Sequence, residues 1–389
     1  MTRTTRVAIA ALVVLAALVG GVGHVGATAD SQVAATADGG ALTAAPTATA
    51  TAAQEDCSFP VTLTDASGTE VTLEEEPEDI VTLGASSAQT VWEIGEQEHV
   101  VGMPVDSSTA YLNGSSNRTH VLDGINVDIE TVVDLDPDLV IAPNIIASDD
   151  VEALRDAGLT VYRENDASSI ADIRERTETT GRLLGACGAA DDTIEWMNET
   201  VSNVEETVAN ADSPSVFYWL GGGFTATPGS FQDEGITTAG ATNAAANIDL
   251  GSPPKAEGEE IVAEDPDYFL VTEGSSLPED HPVQQTTAAQ EGNVITVDSN
   301  YWNQPAPRFV LAIEEVSQQL HADAWAAAEE NGSSADEGEN DDGASDPDGS
   351  SGDGEPNASD DGDDGSPGFG APAAVIALLG AVLALRRRP

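Results

Sequence analysis

Two glutamates stand at the same place in a motif that the chain writes twice. Glu130 lies seven residues before Pro137 in "IETVVDLDPDLVIAP", and Glu259 lies seven before Pro266 in "EEIVAEDPDYFLVT". An Asp-Pro pair ahead of an apolar run is a good helix-to-strand turn, which accounts for the proline and the aspartates. It does not account for a carboxylate at one offset in both copies. Other reactive side chains are sparse. His99, His120 and His281 have no metal-ligand spacing, and no Gly-x-Ser-x-Gly, His-Glu-x-x-His or phosphate loop occurs. We therefore expect no catalytic residue, no metal and no cofactor. Cys57 and Cys187 lack a companion His cluster, so a metal site is the weaker reading and one disulfide closing a long loop is the other. Tyr301 and Trp302, between Asn300 and Asn303, and Trp219 and Phe224, beside three glycines, carry apolar ring faces. Such faces suit either a large planar ligand or ordinary core packing. Trp92 and Trp196, at helical spacing among apolar neighbours, read as packing.

These residues need a scaffold, and the pattern predicts an α/β fold. "FPVTLTDASGTEVTLEEEP" alternates around the turn Asp65 to Gly68, as a hairpin does. "DIVTLG", "HVVGM", "DLVIAP" and "LTVYRE" are short apolar strands separated by helical stretches, one starting near Ser87 and one running from Ile129 to Leu135. Continuous apolar strands alternating with helices argue for a parallel sheet covered on both faces. From about Ser169 to Asn210 the pattern is helical, with a break or kink at Gly185 to Gly188. Strands then resume in "SVFYWL", "YFLVTE" and "NVITVD", and a last helix runs from Pro307 to about Ala328. The expected architecture is two Rossmann-like lobes with central parallel sheets joined by a long rigid helix. The N-terminal lobe covers 57–165, the connector 166–211 and the C-terminal lobe 212–328.

The ends of the 389-residue chain differ in composition from this body. Residues 1–27 have the charged, apolar and small-residue layout of a secretory signal peptide, a retained anchor being the alternative. Residues 28–56 are an Ala/Thr-rich linker, and 329–366 an acidic stretch that should be an extended, disordered stalk. The apolar run Ala371 to Leu385 would span only about 22 Å as a helix, short of a hydrocarbon core of about 30 Å. It reads as a processed tail or a short span, flanked by Arg386, Arg387 and Arg388. The net charge of −56, with Lys255 the only lysine, fits a protein kept hydrated in high salt. A basic patch is absent, so nucleic acid is not an expected partner. Sequons at Asn113, Asn117, Asn198, Asn331 and Asn357 are glycosylation candidates.

Residues 367–389, with Pro367-Gly368-Phe369 ahead of the apolar run and basic finish, resemble the archaeal C-terminal sorting signal named for that tripeptide. The resemblance implies cleavage, attachment to a lipid and tethering at the outer face of the membrane. From Val71 to Ala322 the chain resembles class III substrate-binding proteins of ABC importers, which capture cobalamin, ferric siderophores or haem. The resemblance rests on "DIVTLGASSAQTVWEIGEQEHVVGM", "IETVVDLDPDLVIAP", "AGLTVY…SSIADI" and "EEIVAEDPDYFLVT…VDSNYWNQPAPRFVLAI". It implies a monomeric binder with ligand held between the lobes, and Glu130 and Glu259 docking on arginines of a two-fold permease driven by an ATPase, with Glu260 as a possible substitute. Cleft loops are expected at the strand ends: Gly84 to Ser87, Val105 to Ser108, Trp219 to Phe224 and Asn300 to Trp302. Within them Ser86, Ser87, Asp106, Trp219, Phe224, Asn300, Tyr301 and Trp302 are candidate ligand contacts. Arg308, after Pro307, either faces the cleft or pins its loop. The late "DSNYW" with its Pro-Arg pair is more similar to the cobalamin branch, although Gly124 and Asn126 stand where an aromatic is usual. The alternatives are a siderophore or haem binder, a chelatase-like enzyme, and a passive surface protein.

Overall fold

The computed structural model describes residues 57–336, with side chains described to 330. The expected signal peptide, linker and sorting signal, and all but the first residues of the expected stalk, lie outside them. The chain opens with a hairpin of β1 (Val61–Thr64) and β2 (Glu70–Leu73). Its turn is closed by the Asp65 carboxylate, which accepts from the backbone N–H of Ser67 at 2.8 Å and of Thr69 at 3.0 Å.

The first lobe follows as β3 (Ile80–Thr82), α1 (Ala85–Glu93), β4 (Val100–Met103), β5 (Thr119–His120), the small hairpin β6 (Leu122–Asp123) and β7 (Asn126–Val127), α2 (Ile129–Asp134), β8 (Leu139–Ala142), α3 (Ser148–Asp156) and β9 (Val161–Arg163). Its sheet is parallel throughout, in the order β5-β4-β3-β8-β9. Alternation along the strands feeds two cores. Ile80, Leu139 and Ile141 point to one face, and Val81, Val140 and Val161 to the other.

The connector is not one long helix. It is α4 (Ile170–Leu184) and α5 (Cys187–Val208), parted at Gly185, whose φ of 71° stops the first helix. The two run antiparallel, and each reaches both lobes. Ile170 and Ile173 at the start of α4 belong to the second lobe's core, and Leu183 and Leu184 at its end to the first lobe's. Ala190 of α5 then packs in the first core, and Met197, Val201 and Val204 in the second. A sequence break at Gly185 was legible; that the chain doubles back there was not.

The second lobe contains β10 (Ser215–Tyr218), α6 (Phe231–Thr238), β11 (Thr242–Asn243), α7 (Gly258–Glu264), β12 (Tyr268–Thr272), α8 (Thr287–Glu291), β13 (Val294–Val297), α9 (Ser299–Trp302), α10 (Phe309–Leu320) and α11 (Ala322–Asp336). Its parallel sheet has the order β11-β10-β12-β13. The single last helix expected from Pro307 is two, parted at His321, and the second extends into the first residues of the expected stalk. Cys57 and Cys187 form a disulfide across a separation of 130 residues, which ties the start of the body to the corner between α4 and α5.

The repeated motif does the same work in both lobes. Asp136 and Asp265, with φ of 46° and 48°, are the non-glycine residues of positive φ among those described, and each ends its helix in the left-handed region. Two residues on, Asp138 accepts from the backbone N–H of Asp79 at 3.0 Å, and Asp267 from that of Ser215 at 2.8 Å. Each aspartate thus clamps the start of the neighbouring strand. The helices before them, α2 and α7, place Glu130 and Glu259 at the same point of the first turn, two residues after the N-caps Asp128 and Glu257.

Candidate functional site

The two sheets present their carboxyl ends to a shared cleft of about 440 Å³. The first lobe supplies the turn after β3, with Gly84 and Ser86, and the loop after β4, with Ser107 and Ser108. Gly84 is required by packing, because a Cβ there would stand 2.4 Å from the Pro143 ring at the end of β8. Ile145 completes this wall and is 84% exposed. It is held out by Arg163, whose guanidinium donates to the carbonyls of Asn144 at 2.9 Å and Ile146 at 3.3 Å. The second lobe supplies Asn300, Asn303, Gln304 and Pro305 from α9 and the loop after it. Among the described residues, those that line this cleft include no charged side chain and no histidine, cysteine, tyrosine or methionine.

Beside the cleft the lobes are joined by direct polar contacts. Ser86, Gln89 and Glu93 lie at i, i+3 and i+7 of α1, and therefore on one face. Ser86 meets the cleft, and the other two meet the second lobe. Gln89 Oε1 accepts from the Arg308 backbone N–H at 2.8 Å, and the Arg308 Nε donates to Glu93 Oε1 at 2.6 Å. Gln304 donates to the Ser108 carbonyl at 2.8 Å, and Tyr111 donates to Gln304 Oε1 at 3.0 Å. The Arg308 guanidinium sits over the rings of Tyr111 and Tyr301, 5.5 and 5.7 Å from their centroids. Burial pulls its pKa down, but the Glu93 carboxylate outweighs that and the net shift is upward. Burial also pushes Tyr111 up to about 12, so it stays a neutral donor.

Under the cleft floor lies a buried ion pair. Arg176, from the middle of α4, donates to Glu164 Oε2 at 2.7 Å, with their side chains 8% and 4% exposed. Ser87 donates to the same oxygen at 2.5 Å. Arg176 also reaches Ser86 Oγ and the Pro305 carbonyl, both at 3.4 Å, so it touches both walls of the cleft from below.

Several expected ligand contacts are placed elsewhere by this packing. Ser87 is one position past Ser86 on α1 and turns inward to Glu164. Trp219 continues the pairing of β10, with its N–H on the Leu270 carbonyl, and its side chain falls on the core face beside His281. Trp302 is fully buried against Tyr218 and Phe309, because the turn of α9 that aims Asn300 and Asn303 outward aims Trp302 in. Tyr301 is half-buried against Tyr111 and Arg308. Asp106 is exposed and accepts from the Ser108 N–H and hydroxyl, shaping the loop. Phe224 is 38% exposed, its backbone bridges Gly221 and Lys255, and it is not among the residues that line the cleft. Ser86 and Asn300 do line it. Ser108 also lines it, within the expected loop Val105 to Ser108, whereas Ile145, Asn303 and Gln304 line it and were not among the expected contacts. The stripe of polar residues on α1 was the one signal for the inter-lobe contacts.

Glu130 and Glu259 are both exposed. Glu260 accepts from the Glu257 backbone N–H at 2.8 Å in a capping box, which holds its carboxylate against the helix end. Among the described residues no group of three or more His, Cys, Asp or Glu could hold a metal ion, and no helix is long and apolar enough to cross a membrane.

Comparison with known proteins agrees with this architecture. Residues 80–301 match the family described as periplasmic binding protein, and residues 366–388 match the PGF-CTERM motif. A cobalamin-binding protein of Halobacterium salinarum is 42% identical over 366 residues, 90% of this chain and 95% of that protein. An uncharacterized ABC transporter substrate-binding lipoprotein of Bacillus subtilis is 29% identical over 69% of this chain and 87% of its own length. Among solved structures, the vitamin B12 binding protein BtuF of Vibrio cholerae aligns at a TM-score of 0.54 and 19% identity, covering 63% of this chain and 97% of that one. The heme binding protein HmuT aligns at 0.56 and 22%, covering 68% and 90%. At these identities the two structures bear on the fold.

Proposed function

Because the chain belongs to the periplasmic binding protein family, we propose that it is the cell-surface binding protein of an ABC importer, taking a corrinoid such as cobalamin into the cleft and handing it to a permease and its ATPase. The observation that carries this reading is the uncharged cleft in a chain of net charge −56. Its walls are hydroxyls, amides and backbone, with Ile145 as an apolar contact. Such walls suit a ligand rim of neutral amides around an apolar ring, which is what a corrinoid presents. An anionic ferric siderophore would want arginines there, and haem would want an axial ligand for iron and a cation for its propionates. Neither group lines the cleft. The 42% identity to a cobalamin-binding protein supports the same ligand. Adding cyanocobalamin to the purified protein should raise its melting temperature and change its tryptophan fluorescence. A response to a ferric siderophore and none to any corrinoid would reverse the assignment.

The PGF-CTERM motif supports lipid attachment after removal of the tail, with the protein, a monomer, tethered outside the membrane. The exposed sequons at Asn113, Asn117 and Asn198 are the proposed glycan sites. The docking contacts are Glu130 and Glu259, one per lobe, at equivalent points of α2 and α7, as a two-fold partner requires. Glu259 is preferred to Glu260, whose carboxylate is occupied by the capping box. Reversing charge at both, as E130R with E259R, should cut uptake about tenfold or more while ligand affinity stays unchanged. E260R should have a smaller effect on uptake and a larger one on α7 stability. Uptake that survives the double reversal refutes the docking assignment.

A further inference from the structure

We infer that Arg308 is a positioning residue: held from both lobes, it sets the spacing of the cleft walls without touching the ligand. The inference deepens the proposed binding role and rests on it only for what the cleft holds. Arg308 lies at the start of α10 in the second lobe, yet its partners Gln89, Glu93 and Tyr111 all belong to the first. Its guanidinium is bracketed by one tyrosine of each lobe, Tyr111 and Tyr301, whose rings meet edge to face at 5.7 Å. Arginine suits this place because its planar face stacks on both rings while its edge bonds to the carboxylate. Neither Arg308 nor Glu93 lines the cleft.

The cluster acts on the cleft through the residues beside it. Gln304 receives the Tyr111 hydroxyl on its carbonyl oxygen and bonds the Ser108 carbonyl through its amide. Gln304 and Ser108 are themselves opposite walls of the cleft. Ser108 is thereby fixed relative to Gln304, and Gln304 is tied to Arg308 through Gln89, which donates to the Gln304 carbonyl oxygen at 3.3 Å and accepts from the Arg308 backbone N–H at 2.8 Å. The Arg308 and Glu93 side chains are 26% and 18% exposed, so bulk salt screens the pair less than it would a surface one. The aperture at this end of the cleft is therefore held by contacts within the protein.

The test compares R308M, E93Q, their double variant and R308K in the full chain, each checked for a cooperative melt. E93Q is the more telling variant, because Glu93 does not line the cleft and its side chain bonds Arg308. Small-angle X-ray scattering without ligand should show R308M and E93Q both expanded relative to the native protein. The double variant should expand no further than either, and R308K should lie between. With cyanocobalamin as probe, both single variants should release it about tenfold faster, an effect of ordinary size for residues in direct contact, and the double variant no faster than that. The inference is overturned if E93Q scatters as the native protein does. It is equally overturned if R308M loses the probe while E93Q keeps native affinity, since the arginine would then be touching the ligand. If the native protein binds no cyanocobalamin, the corrinoid reading fails and the scattering comparison alone decides the role of Arg308.

Discussion

Reducing the Cys57–Cys187 disulfide is expected to lower stability by about 5 kcal/mol and the melting temperature by on the order of 10 °C. The bond closes a loop of 130 residues, and that loop contains the whole first lobe, from the β1–β2 hairpin to the end of α4. Opening it gives the unfolded first lobe far more conformations, while the second lobe, outside the loop, gains almost none. The loss should therefore be uneven. Amide exchange in β3, β4 and β8 should accelerate on reduction, and exchange in β10 and β12 should change little. Local packing adds to the entropic effect. The corner at Gly185 lies against Phe59, two residues after Cys57, so the same few residues hold the start of the body to the corner of the connector. A melting temperature that moves by less than about 2 °C on reduction would mean that this packing holds the corner without the bond.

Replacing Arg176 by methionine should cost about 3–5 kcal/mol, the range for stranding a buried charge. Glu164 would keep only the Ser87 hydroxyl as a donor to its paired oxygen, and its other oxygen has no hydrogen-bond partner in the structure. The pair as such need not be stabilising, because both ions lose water on burial and each retains an unpaired atom. This separates two explanations of the loss. If the cost is the stranded carboxylate, R176M combined with E164M should recover most of the stability. If the cost is lost packing in α4, the double variant should be at least as unstable as R176M. Chemical denaturation of the three variants distinguishes the outcomes. Arg176 also carries the Pro305 carbonyl and Ser86, so R176M should weaken ligand binding even at temperatures where the fold survives.

Much of the fold was legible in the sequence because its signals are local. Short apolar runs bounded by Gly and Asp-Pro located β3, β4, β8, β9, β10, β12 and β13, and alternation around the turn Asp65 to Gly68 located β1 and β2. The edge strands β5 and β11 escaped notice, since two-residue strands such as Thr119–His120 carry no periodic pattern. The paired glutamates Glu130 and Glu259 were legible for the same reason as the strands. Their offset from Asp-Pro is a chain distance, and the helix and its stop convert that distance into one position in space.

The ligand site was less legible because it depends on directions that only packing sets. Asn300, Tyr301 and Trp302 are consecutive, yet one lines the cleft, one stacks beside Arg308 and one fills the core. A helical turn rotates each residue by about 100°, so neighbours in sequence cannot share a face. Ile145 carries no sequence signal of its own after β8, and it is Arg163, bonded to the carbonyls of Asn144 and Ile146, that holds its loop outward. The sequence by itself determined two parallel α/β lobes, a broken helical connector, the position of the paired glutamates and the acidic surface. Only the tertiary structure decided that the connector doubles back, that the two cysteines meet, that Trp219 and Trp302 are core, and that Arg308 joins the lobes. The first set follows from hydrogen bonding and hydrophobic periodicity within about twenty residues. The second follows from which faces come together, over separations such as the 215 residues between Glu93 and Arg308.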